Sequence, residues 1–285
     1  MDPLSTEEIR RVVRAALEED VGSGDATTLA IVPENASLRG AIVAREPLRL
    51  AGIALAEAAF AELSAAVQME RFLQDGEQAG RGRRLLGVRG SAQAILTAER
   101  VALNFVQRLS GIATLTAQFV AAVQDTGAQI LDTRKTTPGW RRLEKYAVAC
   151  GGGGNHRLGL YDRVLIKDNH LAALREEKPN AIAAAIQRAR LRWPQLKVEV
   201  EADTLEQVQQ ALEARADIVL LDNMTQEQLR CAVQLARGRA RTEASGGVNL
   251  QTVRAIAETG VDYISVGALT HSARAVDIGL DFQPE

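Results

Sequence analysis

Six apolar runs in the second half of the chain end on polar groups that could share one ligand. The ends read Asp132-Thr133-Arg134-Lys135, Lys167-Asp168-Asn169-His170, Glu201-Ala202-Asp203, Asp222-Asn223, Ser245-Gly246-Gly247 and, after Val266, Gly267-Ala268. Arg134, Lys135 and Lys167, joined by His156 and Arg157 from the run Gly151-Gly152-Gly153-Gly154-Asn155-His156-Arg157, form a cationic set. Arginine forks match carboxylate and phosphate geometry and lysine adds a point charge, so the ligand should carry several negative charges. Ser245-Gly246-Gly247 and Gly267-Ala268 predict a phosphate site, because glycine lets backbone amides approach an anion closely. Glu201 and Asp222 suit a developing cation, sugar hydroxyls or a divalent metal; a structural ion pair with Arg or Lys explains them as well. With no Cys/His set suited to a transition metal, the ion expected is Mg²⁺, carried largely by phosphate oxygens and water. The four glycines read as a flexible loop delivering His156 and Arg157, and no Walker or dinucleotide fingerprint accompanies them. Taken singly, each polar end reads as a loop residue or a helix cap, and Asp203 and Thr225 are expected to be caps. Convergence of the ends on one place carries the functional reading.

Such convergence needs a scaffold, and the spacing supplies one. Glu201, Asp222, Ser245 and Gly267 stand 21, 23 and 22 positions apart, with an apolar run before each and a helical pattern after most. The helical patterns cover 180–192, 205–214, 226–237 and 250–258, the last capped by Asn249. That repetition predicts consecutive βα units, a parallel sheet, and a closed or nearly closed barrel with its active site at the strand C-termini. The first half differs. Ser5-Thr6-Glu7-Glu8 has capping-box form ahead of a helix. Alternating runs at 38–45, 48–53, 69–73 and 85–88 predict a small antiparallel sheet with a helix near 54–66. A long helix is expected from Ser91 to Gln124, with Gly111 as a candidate break.

Composition narrows the class. The 285 residues suit one large domain or two ordinary ones. A net charge of −2 gives no field for nucleic acid or an anionic membrane, and ten aromatics argue against base stacking. Two cysteines make neither a disulfide framework nor a Cys-rich zinc site. The N-terminus lacks signal-peptide form and no apolar stretch reaches membrane length, so a cytoplasmic enzyme is expected.

The motifs also resemble those of a known family. Glu99-Arg100-Val101-Ala102-Leu103-Asn104-Phe105, Leu109-Ser110-Gly111-Ile112-Ala113-Thr114, Asp132-Thr133-Arg134-Lys135-Thr136, Gly152-Gly153-Gly154-Asn155-His156-Arg157 and Leu165-Ile166-Lys167-Asp168-Asn169-His170 resemble quinolinate phosphoribosyltransferase. Gly22-Ser23-Gly24-Asp25-Ala26-Thr27-Thr28, Ser245-Gly246-Gly247 and Val266-Gly267-Ala268 continue the likeness. The resemblance implies an N-terminal α/β sandwich (1–112), an incomplete, about seven-stranded α/β barrel (113–275) and a tail (276–285) that packs back on the N-terminal domain. It implies conversion of quinolinate and 5-phosphoribosyl-1-pyrophosphate (PRPP) to nicotinate mononucleotide, pyrophosphate and CO₂, with Mg²⁺, in de novo NAD biosynthesis. Arg134, Arg157 and Lys167 would bind quinolinate, with Lys135 and His156 completing a basic pocket. Thr133, Ser245, Gly246, Gly247, Val266, Gly267, Ala268 and His271 would line the substrate site and hold the 5-phosphate. Glu201 and Asp222 would face the ribose and metal, and with Lys135 and Lys167 form the catalytic set. A homodimer or a higher multiple is implied, with Arg100 reaching the neighbour's site. A nicotinate-specific relative, a barrel lyase using Lys135 or Lys167 as a Schiff-base amine, and a non-catalytic phosphate binder remain as alternatives.

Overall fold

A computed structural model describes residues 3–282. The first half carries α1 (Thr6–Val21), α2 (Ala26–Ile31), β1 (Ser37–Ala44), β2 (Leu48–Arg49), α3 (Ile53–Leu63), β3 (Gln68–Arg71), β4 (Gln78–Ala79), β5 (Arg84–Ser91) and α4 (Ala92–Ala122). Then follow β6 (Gln129–Leu131), α5 (Arg141–Cys150), β7 (Val164–Ile166), α6 (Asp168–Ala172), α7 (Ala181–Arg192), β8 (Val198–Ala202) and α8 (Leu205–Glu213). The chain closes with β9 (Ile218–Asp222), α9 (Gln226–Ala236), β10 (Arg241–Ser245), α10 (Val253–Ala257), β11 (Tyr263–Ser265), α11 (Ala268–His271) and β12 (Ile278–Phe282). These elements form two compact units that are not contiguous in sequence. One takes the chain up to Ala117, Arg142–Gly152 and the part from Ser272 onward; the other takes Gln118–Arg141 and Gly153–His271.

The first unit is built on a four-stranded antiparallel sheet in the order β12-β1-β5-β3. Its α1 starts as the capping box predicts: the Ser5 hydroxyl accepts from the Glu8 amide at 3.2 Å, and the Ser5 amide donates back to Glu8 at 2.8 Å. Two first-turn amides are thereby satisfied. Val13 and Leu17, four residues apart on one face, are buried. The long α4 runs unbroken through Gly111, where a break was expected. Glycine is needed there for a different reason: a Cβ would collide with the Arg274 carbonyl. The unit also claims most of α5, a helix the sequence pattern did not mark. Arg108 pairs with the buried Glu144 at 3.1 Å, and the Tyr146 hydroxyl donates to Asp75 at 2.7 Å. Residues 283–285 of the expected tail lie outside the described residues, while 278–282 form the edge strand β12 against β1.

The second unit is a six-stranded parallel sheet in the order β6-β11-β10-β9-β8-β7. Its edge strands β6 and β7 do not pair with each other, so the barrel is incomplete. A single parallel bridge between Leu131 and Gly154 adds a seventh position outside β6. Val198, Val200 and Ala202 of β8 and Val219 and Leu221 of β9 are fully buried; the residues that alternate with them include the site carboxylates. Helices between the strands begin on caps at Asn180, Thr204 and Thr225, of which Thr225 was expected, each accepting from an amide three residues on. The cap beside Asp203 is therefore Thr204. The last inter-strand helix starts at Val253 rather than Leu250, because Asn249 makes an Asx turn to the Gln251 and Thr252 amides. Among the described residues no helix is long and apolar enough to cross a membrane.

Candidate active site

The strand C-termini of the second unit surround a cavity of about 710 Å³. It is lined by every expected site residue except Arg100: Thr133, Arg134, Lys135, His156, Arg157, Lys167, Glu201, Asp222, Ser245, Gly246, Gly247, Val266, Gly267, Ala268 and His271. Arg100 lies exposed on α4, in the first unit. Leu165, Leu220, Glu243, Val248 and Ser265 also line the cavity and had not been singled out, and Asn223 of the Asp222-Asn223 strand end joins them. Alternation along the strands was the signal that could have found them. Leu165, Leu220, Glu243 and Ser265 each precede an expected site residue by two positions, so they share its face one layer deeper.

The cationic side is under electrostatic stress. Burial, and next the charge of Arg134, push the Arg157 guanidinium below its usual proton affinity. Arg157 donates to the Arg163 carbonyl at 3.3 Å. The Arg134 Nε is buried and donates to no acceptor among the described residues. Buried donors of this kind cost free energy until an acceptor arrives, and two neighbouring guanidiniums call for an anion. Lys167 donates to Glu201 in a close ion pair between the C-terminal ends of β7 and β8.

Asp132 points inward to the protein rather than to the ligand. Fully buried, it accepts from the Asn155 side chain at 2.7 Å and from the His156 amide at 2.9 Å. The glycine run ahead of those residues is closely packed at its two ends, Gly151 and Gly154, while Gly152 is exposed, so the loop expected to be flexible is anchored on both sides. A Cβ on Gly154 would lie 2.7 Å from the Leu131 and Gln129 side chains, and one on Gly151 would lie 2.5 Å from the Ala113 carbonyl. Glycine permits the Leu131–Gly154 bridge and so sets where His156 and Arg157 emerge.

The opposite side is backbone and carboxylate. Gly246 has φ +96°, a conformation that side chains disfavour, and a Cβ there would strike the Asn223 side chain. Asn223 itself donates to the Ser245 carbonyl through its amide at 3.0 Å and to the Asp222 carboxylate through Nδ2 at 2.7 Å. Among the described residues the amides of Gly246, Gly247 and Gly267 donate to no other residue. They remain available to an anion. Behind this face lie two buried glutamates. His156 Nε2 stands 3.2 Å from Glu199 Oε2 and 3.5 Å from Glu243 Oε1, and Arg163 donates to Glu199 at 3.1 Å.

A cavity with guanidiniums on one side and free glycine amides on the other suits a doubly anionic substrate beside a phosphorylated one. Residues 25–110 match the family model for the N-terminal domain of quinolinate phosphoribosyl transferase, and residues 112–281 match its C-terminal domain. The chain belongs to the quinolinate phosphoribosyltransferase family. It is 47% identical over 279 residues to a nicotinate-nucleotide pyrophosphorylase (carboxylating) of Mycobacterium leprae, covering 95% of this chain and 96% of that one. A Bacillus subtilis protein described as a probable nicotinate-nucleotide pyrophosphorylase (carboxylating) is 42% identical over 275 residues, covering 96% and 93%. Among solved structures, the nicotinate-nucleotide pyrophosphorylase from Francisella tularensis superposes with a TM-score of 0.92 at 39% identity, covering 99% and 98%. The chain is accordingly a decarboxylating phosphoribosyltransferase of NAD biosynthesis.

Proposed function

We propose that Arg134, Arg157 and Lys167 hold the two carboxylates of quinolinate, and that Ser245, Gly246, Gly247, Gly267 and Ala268 hold the 5-phosphate of PRPP. The observation that carries this reading is the Arg134–Arg157 pair: a buried Nε without an acceptor beside a guanidinium of lowered proton affinity. Thr133, Val266 and His271 close the wall around the ribose phosphate. Lys135, whose side chain packs against Gly267, adds a charge on the phosphate side.

Substrate entry would exchange ion-pair partners. A quinolinate carboxylate draws Lys167 away from Glu201, which frees the Glu201 carboxylate at the ribose. As the C1–pyrophosphate bond breaks, its electron pair leaves with pyrophosphate and the sugar gains oxocarbenium character. Glu201 and Asp222 stabilise that charge electrostatically. The quinolinate ring nitrogen then donates its pair to C1, and the ring becomes cationic. The bond to the 2-carboxylate breaks, CO₂ departs, and the electron pair left on the ring carbon takes a proton. The cationic nitrogen next to that carbon stabilises the pair. Holding both anions in register converts a bimolecular encounter into a positioned one, and much of the rate comes from that.

The donor set at the ribose side fits Mg²⁺: its carboxylates are hard oxygen ligands, and Asp222 takes a hydrogen bond from Asn223 only at Oδ2. Asp222 would hold the ion, most of whose coordination would come from phosphate oxygens and water, and Glu201 would face the ribose. When bound, the ion neutralises the departing pyrophosphate. A cytoplasmic homodimer or a multiple of it, with Arg100 serving the neighbour's site, completes the proposal. The deciding experiment supplies quinolinate, PRPP and Mg²⁺ to the purified protein and measures CO₂ and nicotinate mononucleotide. Nicotinate turned over in preference to quinolinate, or no CO₂, would overturn the reading.

A further inference from the structure

His156 is 7% exposed, and both of its ring nitrogens are turned toward protein. The Arg157 main-chain N–H donates to Nδ1 at 2.8 Å. A nitrogen that accepts carries a lone pair, so the ring proton sits on Nε2. That nitrogen faces two fully buried carboxyls, at 3.2 Å from Glu199 Oε2 and 3.5 Å from Glu243 Oε1. Arg163 completes the surroundings of Glu199.

A histidine and two glutamates with ligand atoms within 4.8 Å of one another have the composition of a metal centre. The hydrogen-bond direction argues against that use. Ligation through Nε2 requires the proton on Nδ1, which would then oppose the Arg157 N–H donor at 2.8 Å. Glu199 receives the Nε2 proton without any change in that bond, while both Glu243 oxygens have no hydrogen-bond partner among the described residues.

We propose that Glu199 is a positioning residue: it accepts the Nε2 proton of His156 and fixes the tautomer whose Nδ1 anchors the Arg157 main chain at the anion pocket. Burial, then the neighbouring Glu199 charge, pushes Glu243 up to about 8, so near neutral pH it is an acid that can donate to Glu199. Burial opposes the ionisation of Glu199, but His156 and Arg163 hold its carboxyl below the usual range. The inference rests on Arg157 being a quinolinate ligand.

The test uses the full chain labelled with ¹⁵N-histidine, where three histidines give few signals and His156→Gln identifies its own. Long-range ¹H–¹⁵N correlation should show the Nε2–H tautomer in the unaltered protein. Glu199→Gln should shift the ring toward Nδ1–H and weaken quinolinate binding about tenfold to a hundredfold by displacing Arg157. Glu243→Gln, whose amide can also donate to Glu199, should keep both tautomer and affinity. An Nδ1–H or doubly protonated His156 in the unaltered protein overturns the proposal, and so does a Glu199→Gln variant with tautomer and affinity unchanged. The first readout needs no variant to fold. If calorimetry shows no quinolinate binding by the unaltered protein, the substrate reading fails by itself, and the tautomer spectrum still decides the role of Glu199.

Discussion

Lys167 and Glu201 form an ion pair across the neighbouring strand ends of β7 and β8, so the cation proposed for quinolinate is held by the carboxylate proposed for the ribose. Removing either partner should therefore affect different constants. Lys167→Met should raise KM for quinolinate, on the order of tenfold to a hundredfold for a lost charge-assisted bond. Glu201→Gln should act mainly on kcat, since it weakens stabilisation of the sugar cation. Steady-state kinetics with each substrate varied in turn separates the two. Equal effects on quinolinate KM from both variants would exclude partner exchange.

Arg157→Ala should weaken quinolinate binding by about a hundredfold or more, since a guanidinium makes two charge-assisted bonds to a carboxylate. Arg157→Lys should restore the charge but not the fork and recover only part of the loss. Isothermal titration with quinolinate alone reads this directly. Near-normal affinity in the Ala variant would remove Arg157 from the site.

Exposed Arg100 carries its own expectation. Arg100→Ala and Lys167→Ala proteins, each impaired when assayed alone at low quinolinate, should regain some activity when mixed under conditions that exchange subunits. Light scattering gives the oligomeric state, and recovery should rise with the extent of exchange. Confirmed exchange without recovery would show that Arg100 does not act across an interface.

Gly111→Ala should destabilise the protein by about 1–3 kcal/mol or more, because the new methyl meets the Arg274 carbonyl and a backbone segment must shift. Gly127, where a Cβ would meet nothing within 4 Å but φ is +79°, should show only the cost of backbone strain. Thermal denaturation of both Ala variants compares the two mechanisms, with the greater loss expected at Gly111.

Stability should depend on pH with opposite signs in two ranges. The hydrogen bonds from Arg274 and then from the Asp277 amide hold Glu46 down to about 2, against an ordinary 4.5. Its contribution is present above about 4.5 and is lost as pH falls toward about 2, because the unfolded chain takes up the proton first. Glu243 behaves in reverse. Raised from 4.5 to about 8, it keeps a proton in the folded state that the unfolded chain releases, so stability declines as pH rises between those values. Denaturant midpoints measured across pH 4–9 should flatten on the alkaline side in Glu243→Gln (window taken from about 4.5 to about 8). An unchanged slope in that variant would mean that Glu243 ionises normally.

Much of the parallel unit was legible because one period, near 22 residues, sets both strand spacing and site spacing. The capping residues Ser5 and Thr225 were readable for a local reason, since a cap is complete within four residues. Three features were not. Helix α5 buries Leu143, Ala147 and Val148 at helical spacing, but a Gly-rich stretch follows it and its charged residues Glu144 and Lys145 are buried rather than exposed, which breaks the amphipathic pattern. Gly111 was read as a helix break and Gly154 as part of a flexible loop although both mark close approach, and the colliding partner lies far away in sequence or on a neighbouring strand. Glu199 and Glu243 were counted as strand residues. Alternation places them beneath Glu201 and Ser245, but the role proposed for Glu199 depends on His156, which reaches both from another part of the chain.

The strand order β12-β1-β5-β3 has a consequence for synthesis. Ribosomes deliver residues in order, and domains generally fold as they emerge. Here the partner that β1 (Ser37–Ala44) needs along one edge, Ile278–Phe282, is translated only after all six strands of the parallel unit. During that interval the nascent chain exposes an unpaired β1 edge, the kind of surface that invites pairing with another chain. The N-terminal unit must therefore either wait for the last strand or be shielded while the rest is made, so the two units are coupled in the timing of synthesis.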